Sequence, residues 1–344
     1  MKKIYFIRAN KTKFGGAEVY LSRLSNALDA RNVGHEIINS SISKILPSWI
    51  RAILFNIQVC FSKGNKFYFS LERVSCPDIY RAGDGVHKVF LRKINKSKVN
   101  LLHPTYLFLE KRCFKHAKRI IANSQMVRNQ IINNFNIDPN KVSVIYNGIE
   151  FPKTSYHDSF KHINSEFFIK KDSPVFLYVG SGFERKGVKE FIEILSKIEN
   201  KNFTAFIVGK DKKISEYINL VIDYGLDSKV IFTGPRDDVQ HFYEISDVFI
   251  LPTHYEPFSN VVLEAMYQKN IVFTTVQNGA SEVLKERFIM SSPGDVSIAE
   301  TINEILEDKD LMQKLKIENF HKAKEFSIDR NLTETYSLIN ETID

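Results

Sequence analysis

At 344 residues and 43 % apolar composition, the chain has material for about two ordinary cores and is too apolar to be disordered. Three irregularly spaced cysteines, Cys60, Cys76 and Cys113, lack a His or Cys metal-ligand pattern, which argues against structural zinc and points to a reducing compartment. The formal charge of +8 is unevenly spread, with 25 Lys+Arg against 9 Asp+Glu in residues 1–150 and 23 against 31 in residues 151–344, so the first half is expected to face a polyanion.

The amino terminus, MKKIYFIRAN, carries two lysines, but its apolar run stops at Arg8 without a small-residue cleavage site. No later apolar stretch reaches the length of a membrane span, so neither secretion nor spanning is expected. Ile4 to Arg8 reads as a strand, followed by a loop with Gly15-Gly16 and a helix with Leu21, Leu24 and Leu28 on one face. Further strands are expected at His35 to Asn39, Phe67 to Leu71, Ile79 to Ala82, Arg119 to Asn123 and Val142 to Tyr146.

Two stretches in this half suit a membrane surface. Val86 to Arg119 holds ten Lys and Arg residues with Glu110 as the sole acid, interleaved with Phe90, Leu101, Tyr106, Phe108 and Phe114. Such a basic amphipathic segment either lies in an anionic lipid interface or is a solvated helical face. Ile42 to Phe61, with Trp49 and Arg51, reads as a lipid-touching helix or, more simply, as core. Asn147 to Asp172, rich in Lys, Ser, His and Asp, reads as an interdomain link.

The second half restarts the same alternation with Val175 to Val179, a helix through Val188, Phe191, Ile192, Leu195 and Ile198, then Thr204 to Val208. Strands at Val230 to Thr233, Val248 to Leu251 and Ile271 to Thr275 complete it. Strands alternating with helices in this way describe α/β domains built on a doubly wound parallel sheet, here two of them. Ligands of such domains bind at the carboxyl ends of the strands.

Three strand-end loops carry residues suited to that position. Gly15-Gly16 lets backbone approach a ligand at a helix start. The loop GSGFERKG, Gly180 to Gly187, puts Arg185 and Lys186 between a strand and a helix, where two cations can neutralise a diphosphate. The stretch Pro252 to Glu264, PTHYEPFSNVVLE, delivers Glu256 into a loop and Glu264 onto a helix for which Ser259 and Asn260 are good caps. Unpaired N–H groups at that helix start favour phosphate, and a carboxylate beside them can grip vicinal sugar hydroxyls. Together these features suit a sugar nucleotide. Asp308-Lys309-Asp310 reads as a solvated turn, not a metal site.

In these residues the chain resembles the retaining family-4 glycosyltransferases of GT-B fold, whose signatures include E-x7-E, an R-K-G loop and an early double glycine. The resemblance covers nearly the whole chain, including Asn147-Gly148-Ile149, and is strongest toward the bacterial lipopolysaccharide core α-glucosyltransferases through the YRAGDGVHK stretch. It implies an acceptor-binding, membrane-facing domain at 1–150, a nucleotide-sugar domain at 151–325 and a last helix, 326–344, crossing back to the first domain.

It further implies that Glu264 holds the donor ribose, that Gly180, Ser259, Asn260 and Val261 meet the donor through backbone, and that Glu256 touches the transferred sugar. Arg185 and Lys186 would clamp the diphosphate, Gly15 and Gly16 would bind the donor with their loop close to the acceptor, and Asp84 would sit near the reacting sugar or bind the acceptor. His87, after a Gly-rich turn, would lie near the acceptor or serve structure alone. Pro257 stands where the family commonly has glycine, which bears on sugar identity. The implied reaction is hexose transfer with retention, needing no metal or cofactor, from a donor such as UDP-glucose. The implied acceptor is a lipopolysaccharide core or lipid-linked saccharide on the cytoplasmic face of the inner membrane.

Other readings make different demands. A dinucleotide oxidoreductase built on Gly180, Gly182 and Gly187, with Asp211 on the ribose, has the wrong spacing for G-x-G-x-x-G. A polyanion-binding protein without catalysis accounts for the charge but not for Glu256 and Glu264, and no nucleic-acid-binding signature accompanies it. A GT-B sugar-nucleotide epimerase would share the donor site but need no acceptor.

Overall fold

The computed structural model describes residues 2–10, 16–94, 100–170 and 172–343; Gly15, Lys96 and Lys98 lie outside them. The chain forms two compact units, residues 1–147 with 328–344, and residues 148–327.

In the first unit the chain runs through β1 (Ile4–Ile7), α1 (Gly16–Asp29), β2 (His35–Ile38), α2 (Ser48–Phe61), β3 (Phe67–Ser70) and β4 (Ile79–Ala82). It continues through α3 (His87–Lys93), α4 (Leu102–His116), β5 (Arg119–Ala122), α5 (Gln125–Phe135) and β6 (Val142–Val144). The six strands form one parallel sheet in the order β2-β1-β3-β4-β5-β6. β3 and β4 are buried at every position, as strands with helices on both faces must be.

The second unit holds α6 (Tyr156–Glu166), β7 (Val175–Val179), α7 (Phe183–Lys186), α8 (Val188–Ser196), β8 (Thr204–Val208), α9 (Ile214–Asp223) and β9 (Val230–Gly234). Then come α10 (Val239–Ile245), β10 (Val248–Leu251), α11 (Asn260–Tyr267), β11 (Ile271–Thr275), β12 (Ile289–Met290), α12 (Ile298–Glu307) and α13 (Lys309–Ala323). Its sheet is also parallel, in the order β12-β11-β10-β7-β8-β9. All eleven strands expected from sequence are present, and the two-residue β12 is too short for a sequence pattern to reveal. α8 buries Val188, Phe191, Ile192 and Leu195 completely, the face its periodicity predicts.

A last helix, α14 (Ile328–Ile343), returns to the first unit, where Leu338 and Ile339 join Leu21, Leu24 and Leu28 in one apolar cluster. The Tyr20 and Thr335 hydroxyls share a hydrogen bond of 3.2 Å, and Asn331 Nδ2 donates to Tyr146 O at 2.6 Å.

Several expectations change. The stretch read as a link, 147–172, contains α6, which is capped by Ser155 and held to α10 by a 2.9 Å hydrogen bond between Ser159 Oγ and His241 Nδ1. Its polar composition reflects a solvated outer face, while Ser159 and Ile163 turn inward. Asp308 is a helix cap, accepting from Leu311 N at 2.9 Å, rather than part of a turn. The irregular cysteine spacing conceals a pair, for Cys60 on α2 and Cys76 after β3 form a disulfide, leaving Cys113 free and buried.

Within the basic segment 86–119 the described residues form the helices α3 and α4, with Leu109, Cys113 and Phe114 buried and Leu101 and Phe108 exposed. Its one acid, Glu110, is wholly buried and accepts from His87 N at 2.7 Å, Lys88 N at 3.2 Å and Arg73 Nε at 3.3 Å. A fixed carboxylate there satisfies the orphan donors at the start of α3. On α2, Phe55 and Val59 are buried while Ile53, Ile57 and Phe61 are exposed, so the helix is partly core and partly an outward apolar face. No helix among the described residues is long and apolar enough to cross a membrane.

Candidate functional site

In the second unit the chain leaves β7 toward β8 and later returns to β7's other side with β10, so the strand order reverses between β7 and β10. The carboxyl ends of these two strands frame the crevice at which ligands of doubly wound sheets bind. The loops after β7 and β10 carry Arg185, Lys186, Glu256 and Glu264.

The β7 loop closes into the single turn α7 because Asp211, after β8, accepts from Phe183 N at 2.8 Å and so caps it. Asp211 also accepts from Lys213 N at 2.9 Å, which occupies the carboxylate that a dinucleotide reading would have assigned to a ribose. Gly187, at φ +79°, ends the turn against the β10 loop; a Cβ there would lie 2.0 Å from Pro252 O, so only glycine permits this approach. Lys186 folds back across Gly180, where an added Cβ would lie 2.5 Å from Lys186 Cδ.

Backbone and side chain both zip the two loops together. Arg185 O accepts from His254 N at 2.9 Å and Thr253 Oγ1 at 3.1 Å, while Arg185 Nη1 donates to Tyr255 O at 3.0 Å and pairs with Glu256. Burial lowers the Arg185 pKa. Burial, reinforced by the neighbouring Arg185 charge, lowers that of Lys186 to about 8, with Glu264 acting in the opposite sense. The site thus holds two partly desolvated cations opposite two carboxylates.

Glu256 is fixed from behind by the loop after β11: its N–H donates to Gln277 O at 3.0 Å and its carbonyl accepts from Gly279 N at 2.9 Å. Asn278, fully buried in that loop, accepts from Ser259 N at 3.2 Å and Ala280 N at 3.1 Å. Ser259 occupies the N-cap position of α11 without a side-chain capping bond, a departure from its expected role; the buried Asn278 has taken its backbone instead. Asn260 and Val261 begin α11. One turn on, Glu264 Oε2 accepts from the buried Tyr243 hydroxyl at 3.1 Å. Nearby, His254 Nε2 lies 2.9 Å from Glu190 Oε1.

The supporting residues Tyr243 and Asn278 went unnoticed in the sequence, since Tyr243 lies inside α10 and Asn278 three residues beyond β11, and His254 was given no role within the Pro252 to Glu264 stretch. The buried Asn278 is the one that sequence could have flagged, as an amide in a strand-end loop directly before Gly279.

In the first unit, Gly16 opens α1, and no atom of the described residues lies within 4 Å of a would-be Cβ there. Asp84 is exposed, with Oδ2 at 3.8 Å from Arg73 Nη1. His87 stacks on Phe90 with ring centroids 5.8 Å apart, and its Nε2 is 3.2 Å from His103 Nδ1. Burial, with Arg73 and His103 adding to it, lowers its pKa to about 4, so it is neutral at pH 7. The same sheet edge holds an ion-pair set that sequence did not single out, in which Arg8 binds Glu18 at 2.8 Å and Glu72 at 2.9 Å.

Residues 67–151 match the model of Glycosyltransferase Family 4, and residues 159–322 that of Glycosyl transferases group 1. The chain is 24 % identical over 280 residues to the lipopolysaccharide glucosyltransferase WaaG of Escherichia coli, covering 78 % of this chain and 73 % of WaaG. Shorter matches join it to the lipopolysaccharide core biosynthesis glycosyltransferase LpsE of Rhizobium meliloti, at 29 % identity over 42 % of this chain, and to the uncharacterized glycosyltransferase MJ1607 of Methanocaldococcus jannaschii, at 28 % over 48 %. These two matches span only 43 % and 44 % of those relatives' lengths.

Among solved structures, that of WaaG superposes with a TM-score of 0.80 at 20 % identity, covering 98 % of this chain and 99 % of WaaG. Anabaena HepE in complex with UDP gives 0.77 at 18 % identity, covering 99 % and 100 %. Likenesses at such identities speak to the fold, while the two family models carry the kinship. With parallel six-stranded sheets in both units and both models matched in order, the chain belongs to the family-4 glycosyltransferases of GT-B fold.

Proposed function

We propose that the protein is a retaining hexosyltransferase that moves a hexose from a UDP-sugar onto a lipopolysaccharide core or lipid-linked saccharide. The observation that carries this reading is the juxtaposition of Arg185 and Lys186 on the β7 loop with Glu256 and Glu264 at the end of β10. Two partly desolvated cations suit a diphosphate, and a carboxylate one turn into α11 suits a ribose. WaaG's name gives glucose as the transferred sugar, and HepE has been crystallised with UDP-glucose. Other relatives are named for transfer to diphosphoundecaprenol-linked sugars, which keeps both acceptor classes in view.

In this reading the protein supplies position and charge. Arg185 and Lys186 hold the leaving diphosphate, which removes the acceptor proton as the new glycosidic bond forms on the face it departs from. Glu264 binds the donor ribose, Glu256 orients the sugar, and backbone at Gly180, Ser259, Asn260 and Val261 lies along the donor. Gly15 and Gly16 contribute to donor binding with their loop close to the acceptor, and Asp84 lies near the reacting sugar or binds the acceptor. The two cations and the helix start provide the positive field that a metal provides in other transferases, so we infer metal-independent turnover.

We further place the enzyme peripherally on the cytoplasmic face of the inner membrane, through α2, α3 and α4. Exposed Ile57 and Phe61 on α2, Phe108 with Arg112 over its ring on α4, and exposed Arg92 and Lys111 support that placement. Binding to vesicles of zwitterionic lipid as strongly as to anionic ones at low salt would exclude it.

The deciding experiment measures nucleotide release from UDP-glucose, UDP-galactose, UDP-N-acetylglucosamine and GDP-mannose, with and without truncated lipopolysaccharide core. Release from one donor that rises with acceptor is expected. Acceptor-independent epimerisation of the donor sugar would favour the epimerase, and no binding of any donor would favour the polyanion-binding reading.

A further inference from the structure

The first unit contains a cavity of about 490 Å³ that none of the roles above uses. It opens where that sheet reverses, between the carboxyl ends of β1 and β3, and is walled by α2 and α4. Its volume suits one or two sugar rings. Its apolar lining includes Ala52, Phe55 and Leu102, and its polar lining Ser48, Arg51 and Lys44 together with the paired Glu72 and Arg73.

Arg51 is the informative residue. Its Nε is buried and has no hydrogen-bond partner, and its guanidinium pairs with no acid among the described residues. The neighbouring cations differ. Arg8 is held by Glu18 and Glu72, and Arg73 by Glu110, so these three acids of the edge are already engaged. Lys44, exposed at the rim, likewise has no acidic partner among the described residues. Buried donors are nearly always satisfied, and an Arg fork is shaped for a carboxylate or phosphate. A cation left unpaired on a cavity wall therefore marks the place of an anionic group that the protein does not itself supply.

We propose that this cavity binds a sugar bearing a phosphate or carboxylate, with the anion on Arg51 and Lys44, hydroxyls near Ser48, and the ring's C–H face on Phe55. Resting on the transferase reading, that sugar is part of the acceptor, which makes the enzyme selective for an anionic saccharide.

Calorimetric titration of the full chain with glucose, glucose 6-phosphate, glucose 1-phosphate and inorganic phosphate tests this. At least one sugar phosphate is expected to bind about tenfold or more tightly than glucose and than inorganic phosphate. The isomer that binds better tells a phosphate on the exocyclic C6 hydroxyl from a phosphate at the anomeric carbon, the linkage found in lipid-diphosphate sugars. Arg51→Gln should erase the preference, and Arg51→Lys should retain part of it.

Trp49, the chain's one tryptophan, lies two residues from Arg51 and gives a local fluorescence readout. Because Arg51 has no partner to lose, its substitution should not lower the melting temperature, which separates a lost site from a lost fold. Equal binding of glucose and both sugar phosphates would overturn the proposal, as would an anion preference that survives in Arg51→Gln. Inorganic phosphate binding as tightly as the sugar phosphates would remove its saccharide part. Donor turnover without any such preference would leave the transferase reading intact and sink this one. The converse result would sink the transferase reading, and with it the assignment of that sugar to an acceptor, while leaving the sugar-phosphate site itself standing.

Discussion

Arg185 and Glu256 form an ion pair across the junction of the β7 and β10 loops, and the same guanidinium donates to Tyr255 O at 3.0 Å. A cation assigned to a diphosphate is therefore partly neutralised before the donor arrives. Glu256 competes with phosphate for Arg185 and must yield some of that contact on binding. Glu256→Gln removes the competition while preserving shape, so UDP should bind about tenfold more tightly, about 1.4 kcal/mol, while kcat falls because the donor sugar loses a partner. Inhibition by UDP and steady-state kinetics read the two effects separately. Weaker UDP binding in the variant would show that the pair orients Arg185 rather than masking it.

Lys186 gives a pH dependence with a definite sign. Its pKa is about 8 in the folded chain against 10.5 ordinarily, so the folded state binds fewer protons between those values. The burial penalty on the charge is fully present below pH 8 and is relieved as pH rises toward 10.5. Lys186→Met should therefore stabilise the ligand-free protein below pH 8 by up to about 3 kcal/mol, seen as a raised urea midpoint. The same substitution should abolish most donor binding. In the wild type, UDP affinity should decline as pH passes about 8, since the neutral amine no longer attracts phosphate. A flat affinity profile from pH 7 to 9.5 would detach Lys186 from the diphosphate.

The strands and their alternation were legible because a parallel sheet covered on both faces writes nearly continuous apolar runs, such as Phe67–Ser70 and Val248–Leu251. Arg185, Lys186, Glu256 and Glu264 were legible because charged residues directly after such runs fall at the carboxyl edge. Which of them touch was not legible, since it depends on β7 lying beside β10, a fact of strand order that no local pattern carries. The same blindness hid the Arg8–Glu72 pair, which spans β1 and β3. Composition misled where polar residues cover a helix, as in α6, and where a lone acid within a basic segment turned out to be the buried cap Glu110.

Gly187 couples the two loops sterically. With φ at +79° and a would-be Cβ 2.0 Å from Pro252 O, alanine there meets both backbone strain and a main-chain clash. Strain of this kind costs about 1–3 kcal/mol, and relief requires the loops to separate, which would pull Arg185 from Tyr255 O. Gly187→Ala should lower the urea midpoint and raise the KM for donor at temperatures where the protein remains folded. Gly182, also at positive φ but with nothing within 4 Å, isolates the strain from the clash. Gly182→Ala should therefore lose stability without a comparable change in KM. Equal effects of the two substitutions on KM would mean that the close approach at Pro252 does not position the site.

The disulfide sets a last, independent expectation, because Cys60 on α2 and Cys76 after β3 tie together two walls of the first unit's cavity. The bond closes a loop of sequence separation 16. Restricting the unfolded chain over a loop of that size stabilises the folded state by about 3 kcal/mol. Adding reductant should thus lower the urea midpoint of the wild type, and Cys60→Ser should reproduce the loss while becoming insensitive to reductant. Thiol titration after denaturation should find one reactive group without reductant, Cys113, and three after reduction and removal of the reductant. An enzyme working at the cytoplasmic face would meet conditions that keep these thiols reduced, so the reduced protein is the form in which sugar binding to the cavity must also be measured. If reductant leaves the midpoint unchanged, the bond is absent from the folded protein and α2 is held by Phe55, Val59 and their apolar neighbours together with hydrogen bonds such as those from Ser75 to Asn56 Oδ1.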